Sequence, residues 1–164
     1  MVNNSSGEPI HILLVEDNDA HAELVKRGFE QHRVLNRITH LKDGKAAIDF
    51  LFTEGEYSEA ELDLPHIILL DLRLPKVDGL EVLKQIKSDQ GMNKIPVVIL
   101  STSAAEQDVA RAYSFHANSY LVKPMDYDKF RELMADLGYY WMAWNQDPWD
   151  KQKLNPELDV KDLL

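Results

Sequence analysis

Three carboxylates, one hydroxyl and one ammonium fall at the ends of apolar runs in this chain. "IHILLV" (10–15) is followed by Glu16 and Asp17, and "HIILL" (66–70) by Asp71. "IPVVIL" (95–100) is followed by Ser101, and "SYLV" (119–122) by Lys123 and Pro124. A carboxylate at the mouth of an apolar strand needs a partner or a job, because an unpaired buried charge is costly. Three carboxylates brought together raise one another's pKa. A hard divalent cation relieves that repulsion, and Mg²⁺ prefers carboxylate oxygens, a backbone carbonyl and retained waters. Lys123 is then suited to hold a phosphoryl group, and Ser101 to donate a hydrogen bond to one of its oxygens. On this reading Asp71 is a candidate phosphoryl acceptor.

For these residues to meet, the runs that precede them must lie side by side and end on one edge. The runs are rich in Ile, Val and Leu and mostly do not alternate with polar residues, the pattern of parallel strands covered on both faces. A weaker run, "RITHL" (37–41), makes a fifth strand. Helical spacing fills the gaps: Leu24, Val25 and Phe29 after the N-cap candidates Asn18 and Asp19; Ala47, Ile48 and Leu51; Leu80, Leu83 and Ile86; Val109, Ala112 and Tyr113; and Phe130, Leu133, Met134, Leu137, Trp141 and Trp144. The alternation predicts an α/β fold, a doubly wound five-stranded parallel sheet with helices on both faces. Ligands of such sheets bind beyond the carboxyl ends of the strands, where the charged residues fall.

Taken singly, the motifs have ordinary readings. Glu16 and Asp17 alone would pass for acids at a helix start, Lys123 for a surface lysine, and Tyr120 for core. Ser101 is followed by Thr102 and Ser103, so a slip of one residue would change the donor. The six histidines show no ligand spacing and are read as surface or satisfied residues, not as metal ligands.

Taken together, "VEDN", "LLDLRLPKVDGLEVL", "PVVILSTS" and "SYLVKP" resemble the receiver domain of two-component response regulators over residues 10 to about 144. The resemblance implies a flavodoxin-like strand order, 2-1-3-4-5, and a phosphoryl group accepted on Asp71 from a phosphohistidine of a sensor kinase. It also implies Mg²⁺ held by Asp17, Asp71 and the backbone carbonyl of Arg73, with Glu16 acting through a water. Ser101 and Lys123 would bind phosphoryl oxygens, Tyr120 would be an aromatic switch, and the peptide before Pro124 would be cis. Arg73 departs from the pattern: in the family this side chain overhangs the phosphoryl group, so the resemblance implies that a long cation here would alter hydrolysis. The insertion "FLFTEGEYSEAELDLPHIILLDL" and the aromatic end "YYWMAW" are similar to the stand-alone regulators that pair with phytochromes. Two rival functions are weighed: an Mg²⁺-dependent aspartyl phosphatase and a pseudo-receiver that only binds. Arg73 stands where the phosphatase would need its second acid, and the intact acceptor set argues against the pseudo-receiver. The expectation is a phosphoacceptor with slow self-dephosphorylation and not an enzyme.

Composition fits one receiver-sized domain. The chain has 164 residues, 45% hydrophobic and 28% charged, with no cysteine and therefore no disulfide or thiolate chemistry. A net charge of −10 argues against direct nucleic-acid binding. The polar start lacks a signal core and no run reaches membrane-spanning length, so the expected location is the cytoplasm. The expected divisions are a disordered leader (1–9), the receiver (10–144) and a polar tail (145–164), with residues 53–64 an acidic loop. Tyr140, Trp141 and Trp144 run past the length needed to cover the sheet. They predict a homodimer through the face of the fourth helix, fifth strand and fifth helix.

Overall fold

The computed structural model describes residues 9–31, 36–59, 63–141 and 145. The expected leader (apart from Pro9), most of the expected tail, and Trp144 lie outside the described residues. Five parallel strands form one sheet: β1 (Ile10–Val15), β2 (Asn36–Leu41), β3 (Ile67–Leu70), β4 (Val97–Ser101) and β5 (Ser119–Val122). Their order is β2-β1-β3-β4-β5, as the resemblance implies. The helices are α1 (Asp19–Glu30), α2 (Gly44–Leu51), α3 (Gly79–Ser88), α4 (Glu106–Ser114) and α5 (Tyr127–Tyr139).

Alternate residues of each strand face opposite sides, so each strand feeds two cores. Leu13, Val15, Ile68, Leu70, Val97 and Ile99 pack with Ala47, Leu51, Leu80, Leu83, Ile86 and Ala112, from α2, α3 and α4. Ile12, Leu14, Ile67, Leu69, Val98 and Leu100 pack with Val25, Phe29, Phe130, Met134 and Leu137, from α1 and α5. The central strands read as continuous apolar runs because both faces are covered, whereas β2 and β5, at the edges, are only half-buried.

Side-chain caps start four of the five helices. Asn18, Asp43, Asp78 and Asp126 each accept a hydrogen bond from a backbone N–H of the first turn. The fourth helix is different: Ala105 stands at the cap position without a side-chain bond, and Ala112 is the buried residue of the helix. Tyr113, which the spacing assigns to the packed stripe, is exposed. A short edge helix needs one small residue against the sheet, and Ala112 supplies it.

The acidic loop after α2 contains a 3₁₀ turn, Gly55–Tyr57, whose Tyr57 packs edge-on against Phe50 with ring centroids 5.3 Å apart. The aromatic stripe also differs from expectation. Regular helix ends at Tyr139, and beyond it the Asn145 N–H donates to the Tyr140 carbonyl at 2.8 Å. Trp141 then folds back against the core on the α1–α5 side, while Tyr140 stays exposed with its ring edge-on to Trp141.

Candidate functional site

Parallel register carries the chemistry to one edge. Val15 pairs with Leu70, Leu70 with Ile99, and Ser101 with Val122, so Glu16, Asp71, Ser101 and Lys123 leave the sheet beside one another. The backbone then fixes each exit. The Glu16 N–H donates to Leu41 O, the Asp71 N–H to Val15 O, and the Lys123 N–H to Ser101 O, at 2.8–3.0 Å. Behind Asp71 the start of α3 approaches so closely that a Cβ on Gly79 would sit 2.1 Å from the Asp71 carbonyl oxygen. Only glycine fits there.

The centre of the site is Lys123. Its ammonium, 4% exposed, donates to Glu16 Oε2 at 2.5 Å and to Asp71 Oδ2 at 2.9 Å. It also lies 3.2 Å from His21 Nδ1. An ammonium has three N–H donors, and three acceptors surround this one. Burial, reinforced by the Lys123 charge and opposed by Asp71 and Asp17, lowers the His21 pKa and favours the neutral ring, whose Nδ1 accepts from Lys123 in the Nε2-protonated tautomer. His21 sits in the first turn of α1, its ring 5.4 Å from that of Phe130. The reading of the histidines as surface or satisfied residues gives His21 no role in the site; the structure places its ring against the lysine.

Glu16 is 1% exposed, and burial pushes its carboxyl up to about 7, although the Lys123 charge and hydrogen bond pull the other way. The charge of Asp71 adds to the rise. Two buried carboxylates against one ammonium leave an unbalanced negative charge, before Asp17 is counted. Asp17 is exposed at the rim, yet donor oxygens of Glu16, Asp17 and Asp71 all lie within 4.8 Å of one another. That oxygen-only set suits a hard divalent cation, and the surplus charge gives it a reason to bind.

Ser101 is fully buried. Its Oγ accepts from the Ser103 N–H at 3.1 Å, which uses a lone pair and leaves the hydroxyl proton available to donate. Tyr120 is half-buried against the α2–α4 core, and its hydroxyl donates to the Ser103 carbonyl at 2.8 Å. The Arg73 N–H reaches Asp71 Oδ1 at 3.4 Å, while its guanidinium turns away to Asp108 on α4, with Nη2 2.9 Å from Oδ2. One implied feature is not realised: the described residues contain no cis peptide bond, so Lys123–Pro124 is trans. The trans form is the lower-energy isomer even before proline.

A cavity of about 590 Å³ lies at the other end of the strands, between His11, Arg37, Asp63 and His66, remote from these groups. The convergent acids and lysine, not the cavity, mark the site.

A 2-1-3-4-5 parallel sheet with an acidic cluster and a buried lysine at its carboxyl edge is the architecture of a phosphoryl-accepting receiver. The chain belongs to the response regulator receiver domain family, whose model matches residues 12–135. It is 49% identical over 142 residues to the probable methanogenesis regulatory protein FilR2 of Methanothrix harundinacea (strain 6Ac), covering 86% of this chain and 89% of that protein. It is also similar to the crystal structure of the phosphorylated cyanobacterial phytochrome response regulator RcpA. There the TM-score is 0.81 and the identity 38%, over 86% of this chain and 99% of that one. The crystal structure of the Mn²⁺-bound form of the response regulator Rcp1 matches at a TM-score of 0.81 and 38% identity, over 85% of this chain and 99% of that one. The protein is thus a response regulator with a phosphoacceptor signalling role. Membership implies a histidine kinase as partner and a divalent metal at the acidic cluster.

Proposed function

We propose that Asp71 is the acceptor of a phosphoryl group from a sensor histidine kinase. The observation that carries this reading is the Lys123 ammonium buried between Asp71 and Glu16 at the strand exits. In the transfer, an Asp71 carboxylate oxygen forms a bond to phosphorus as the P–N bond to the kinase histidine breaks. The electron pair of that bond returns to the imidazole. Little covalent chemistry is asked of the receiver; positioning and charge do the catalysis. Lys123 turns from the carboxylates to a phosphoryl oxygen, and Ser101 donates its free proton to another. Tyr120 follows as the Ser103 backbone moves with Ser101. Asp17, Asp71 and the Arg73 carbonyl would hold Mg²⁺, with Glu16 reaching it through a water. The ion would supply charge neutralisation on the transferring oxygens.

Asp71→Asn should abolish base-labile labelling by acetyl phosphate in Mg²⁺. Undiminished labelling of that variant would remove Asp71 from the role. Labelling followed by slow release of phosphate supports a signalling phosphoacceptor; rapid turnover of a phosphodonor would instead support the phosphatase reading.

A phytochrome-type kinase in the cytoplasm is the partner favoured by the likeness to RcpA, named for such a system. The 49% identity to FilR2 favours a second reading, a kinase in methanogenesis control. Phosphotransfer profiling against one kinase of each kind, at short times, decides between them. Output through a homodimer is supported by the exposed residues Tyr113, Val122, Met125, Tyr127, Tyr139 and Tyr140. They lie on or beside α4, β5 and α5, and large apolar side chains in water mark contact surfaces. A second copy is the occupant this reading selects, with Tyr140 exposed on that face and Trp141, packed on the core, behind it. Sedimentation of the full chain, with and without beryllofluoride, should show a dimer that Tyr140→Asp weakens. A monomer under both conditions would refute it.

A further inference from the structure

The acceptor and α4 are joined by a short chain of polar contacts that the phosphotransfer chemistry does not require. Arg73, two residues after Asp71, gives its guanidinium to Asp108 Oδ2 at 2.9 Å. The same Oδ2 accepts from Ser103 Oγ at 2.6 Å. The Ser103 N–H donates to the Ser101 hydroxyl, its carbonyl accepts from Tyr120, and its Oγ also accepts from the Ala105 N–H at 3.3 Å. One largely buried carboxylate, in the first turn of the helix that lacks a cap, thus gathers the residue beside the acceptor and the loop after β4.

We propose that Asp108 is a positioning residue that sets the lifetime of phosphorylated Asp71 by competing for Arg73. The proposal rests on Asp71 being the acceptor. The Arg73 side chain is two-thirds exposed, so its pair with Asp108 is screened by water and weak. Phosphorylation adds a group of about −1.5 to −2 charge close to the base of the same side chain. The guanidinium then has two anions within reach, one on α4 and one on Asp71.

Its choice matters for hydrolysis. In that step a water oxygen bonds to phosphorus as the bond from phosphorus to the Asp71 oxygen breaks. The bond's electron pair stays with the carboxylate, and inorganic phosphate departs with the water's proton released to solvent. A guanidinium laid over the phosphoryl group stands in the path of that water. A guanidinium held on Asp108 leaves the path open. When Arg73 does leave, Asp108 loses that contact and keeps its bond from Ser103, so the first turn of α4 is loosened by the same event. The weakness of the pair is what makes the exchange reversible.

The experiment measures release of phosphate from acetyl-phosphate-labelled protein in Mg²⁺ for four chains: wild type, Asp108→Ala, Arg73→Ala and the double variant. Asp108→Ala frees the guanidinium and should lengthen the lifetime about two- to fivefold, the range open to one exposed ion pair. Arg73→Ala should shorten it, and the double variant should match Arg73→Ala, because Asp108 acts only through that side chain. Asp108→Asn, which keeps an acceptor for Ser103, should also lengthen the lifetime, and Asp108→Glu should return it towards wild type. A purely structural role would not give opposite signs with full epistasis. An unchanged or shorter lifetime in Asp108→Ala, or a double variant that differs from Arg73→Ala, overturns the proposal and leaves the acceptor assignment standing. Failure of wild type to label at all overturns the acceptor assignment and this proposal together.

Discussion

Replacing Lys123 with methionine asks whether the ammonium is the countercharge of the site. Methionine keeps the unbranched stem and removes only the charge and its three donors. The substitution leaves Glu16 and Asp71 facing each other at 1% and 7% exposure with no cation between them. Removing one partner of a buried pair costs about 3–5 kcal/mol, because the charge left behind remains desolvated. Here two carboxylates are stranded, so a value near the top of that range is expected above neutrality.

The penalty should depend on pH in a particular direction. Burial already lifts the Glu16 carboxyl to about 7, and losing Lys123 removes the two largest influences that hold it down, leaving the Asn18 N–H. A carboxyl whose folded pKa is raised binds more protons folded than unfolded. Its unfavourable contribution is therefore full above that pKa and fades as pH falls towards the ordinary value of 4.5. The variant should be worst at pH 8 and recover towards pH 5. Mg²⁺ should replace the ammonium: at about 100 times its Kd, a ligand adds about 2.7 kcal/mol. Urea unfolding at pH 8 and pH 5, in EDTA and in Mg²⁺, tests each statement. A loss below about 1 kcal/mol at pH 8 in EDTA would refute the countercharge argument. So would a loss that Mg²⁺ leaves unchanged.

Three more predictions concern His11, His21 and Gly79. His11 is buried, its Nε2 on Thr39 Oγ1 and its Nδ1 without a hydrogen bond among the described residues, and burial lowers its pKa from 6.5 to about 4. The unfolded chain takes the proton first, so this imidazole contributes stability above pH 6.5 that is lost towards pH 4, about 3 kcal/mol in all. The difference between wild type and His11→Leu should show that slope in urea titrations, and parallel pH profiles would count against it. His21→Leu leaves one ammonium donor of Lys123 unmet and should slow labelling by acetyl phosphate several-fold, while His21→Gln, which restores an acceptor, should recover most of the rate; equal rates in both would remove His21 from the site. Gly79→Ala drives a Cβ into the Asp71 carbonyl and should cost about 3 kcal/mol in urea unfolding with a matching loss of labelling; a wild-type midpoint would show that α3 can move aside.

How much of this was legible in the sequence depends on how far each contact reaches along the chain. The strands were readable because each is a local run, and parallel pairing in the order 2-1-3-4-5 then dictates which exits are neighbours. Glu16, Asp71, Ser101 and Lys123 therefore met as expected, although Asp71 and Lys123 are 52 residues apart. The same geometry explains the misses. His21 and Lys123 are 102 residues apart, and nothing in "NDAHAEL" tells a histidine on the inward side of α1 from one on the solvent side. Helical period gives a face only to about a residue, and at the rim of a sheet one residue separates the active edge from water. Asp108 was hidden in another way, since acids in the first turn of a helix are common for reasons of the dipole alone. Trp141 falls beyond the helix length that covers the sheet when the stripe is continued as regular helix, whereas helix α5 ends at Tyr139 and the Trp141 ring packs on the core. Each miss concerns orientation about an axis rather than position along the chain. Residues at strand ends escape that ambiguity because a strand has only two faces and one exit. This is why the acids and the lysine of this site could be read from the sequence, while the groups that tune them, supplied by helices, required the structure.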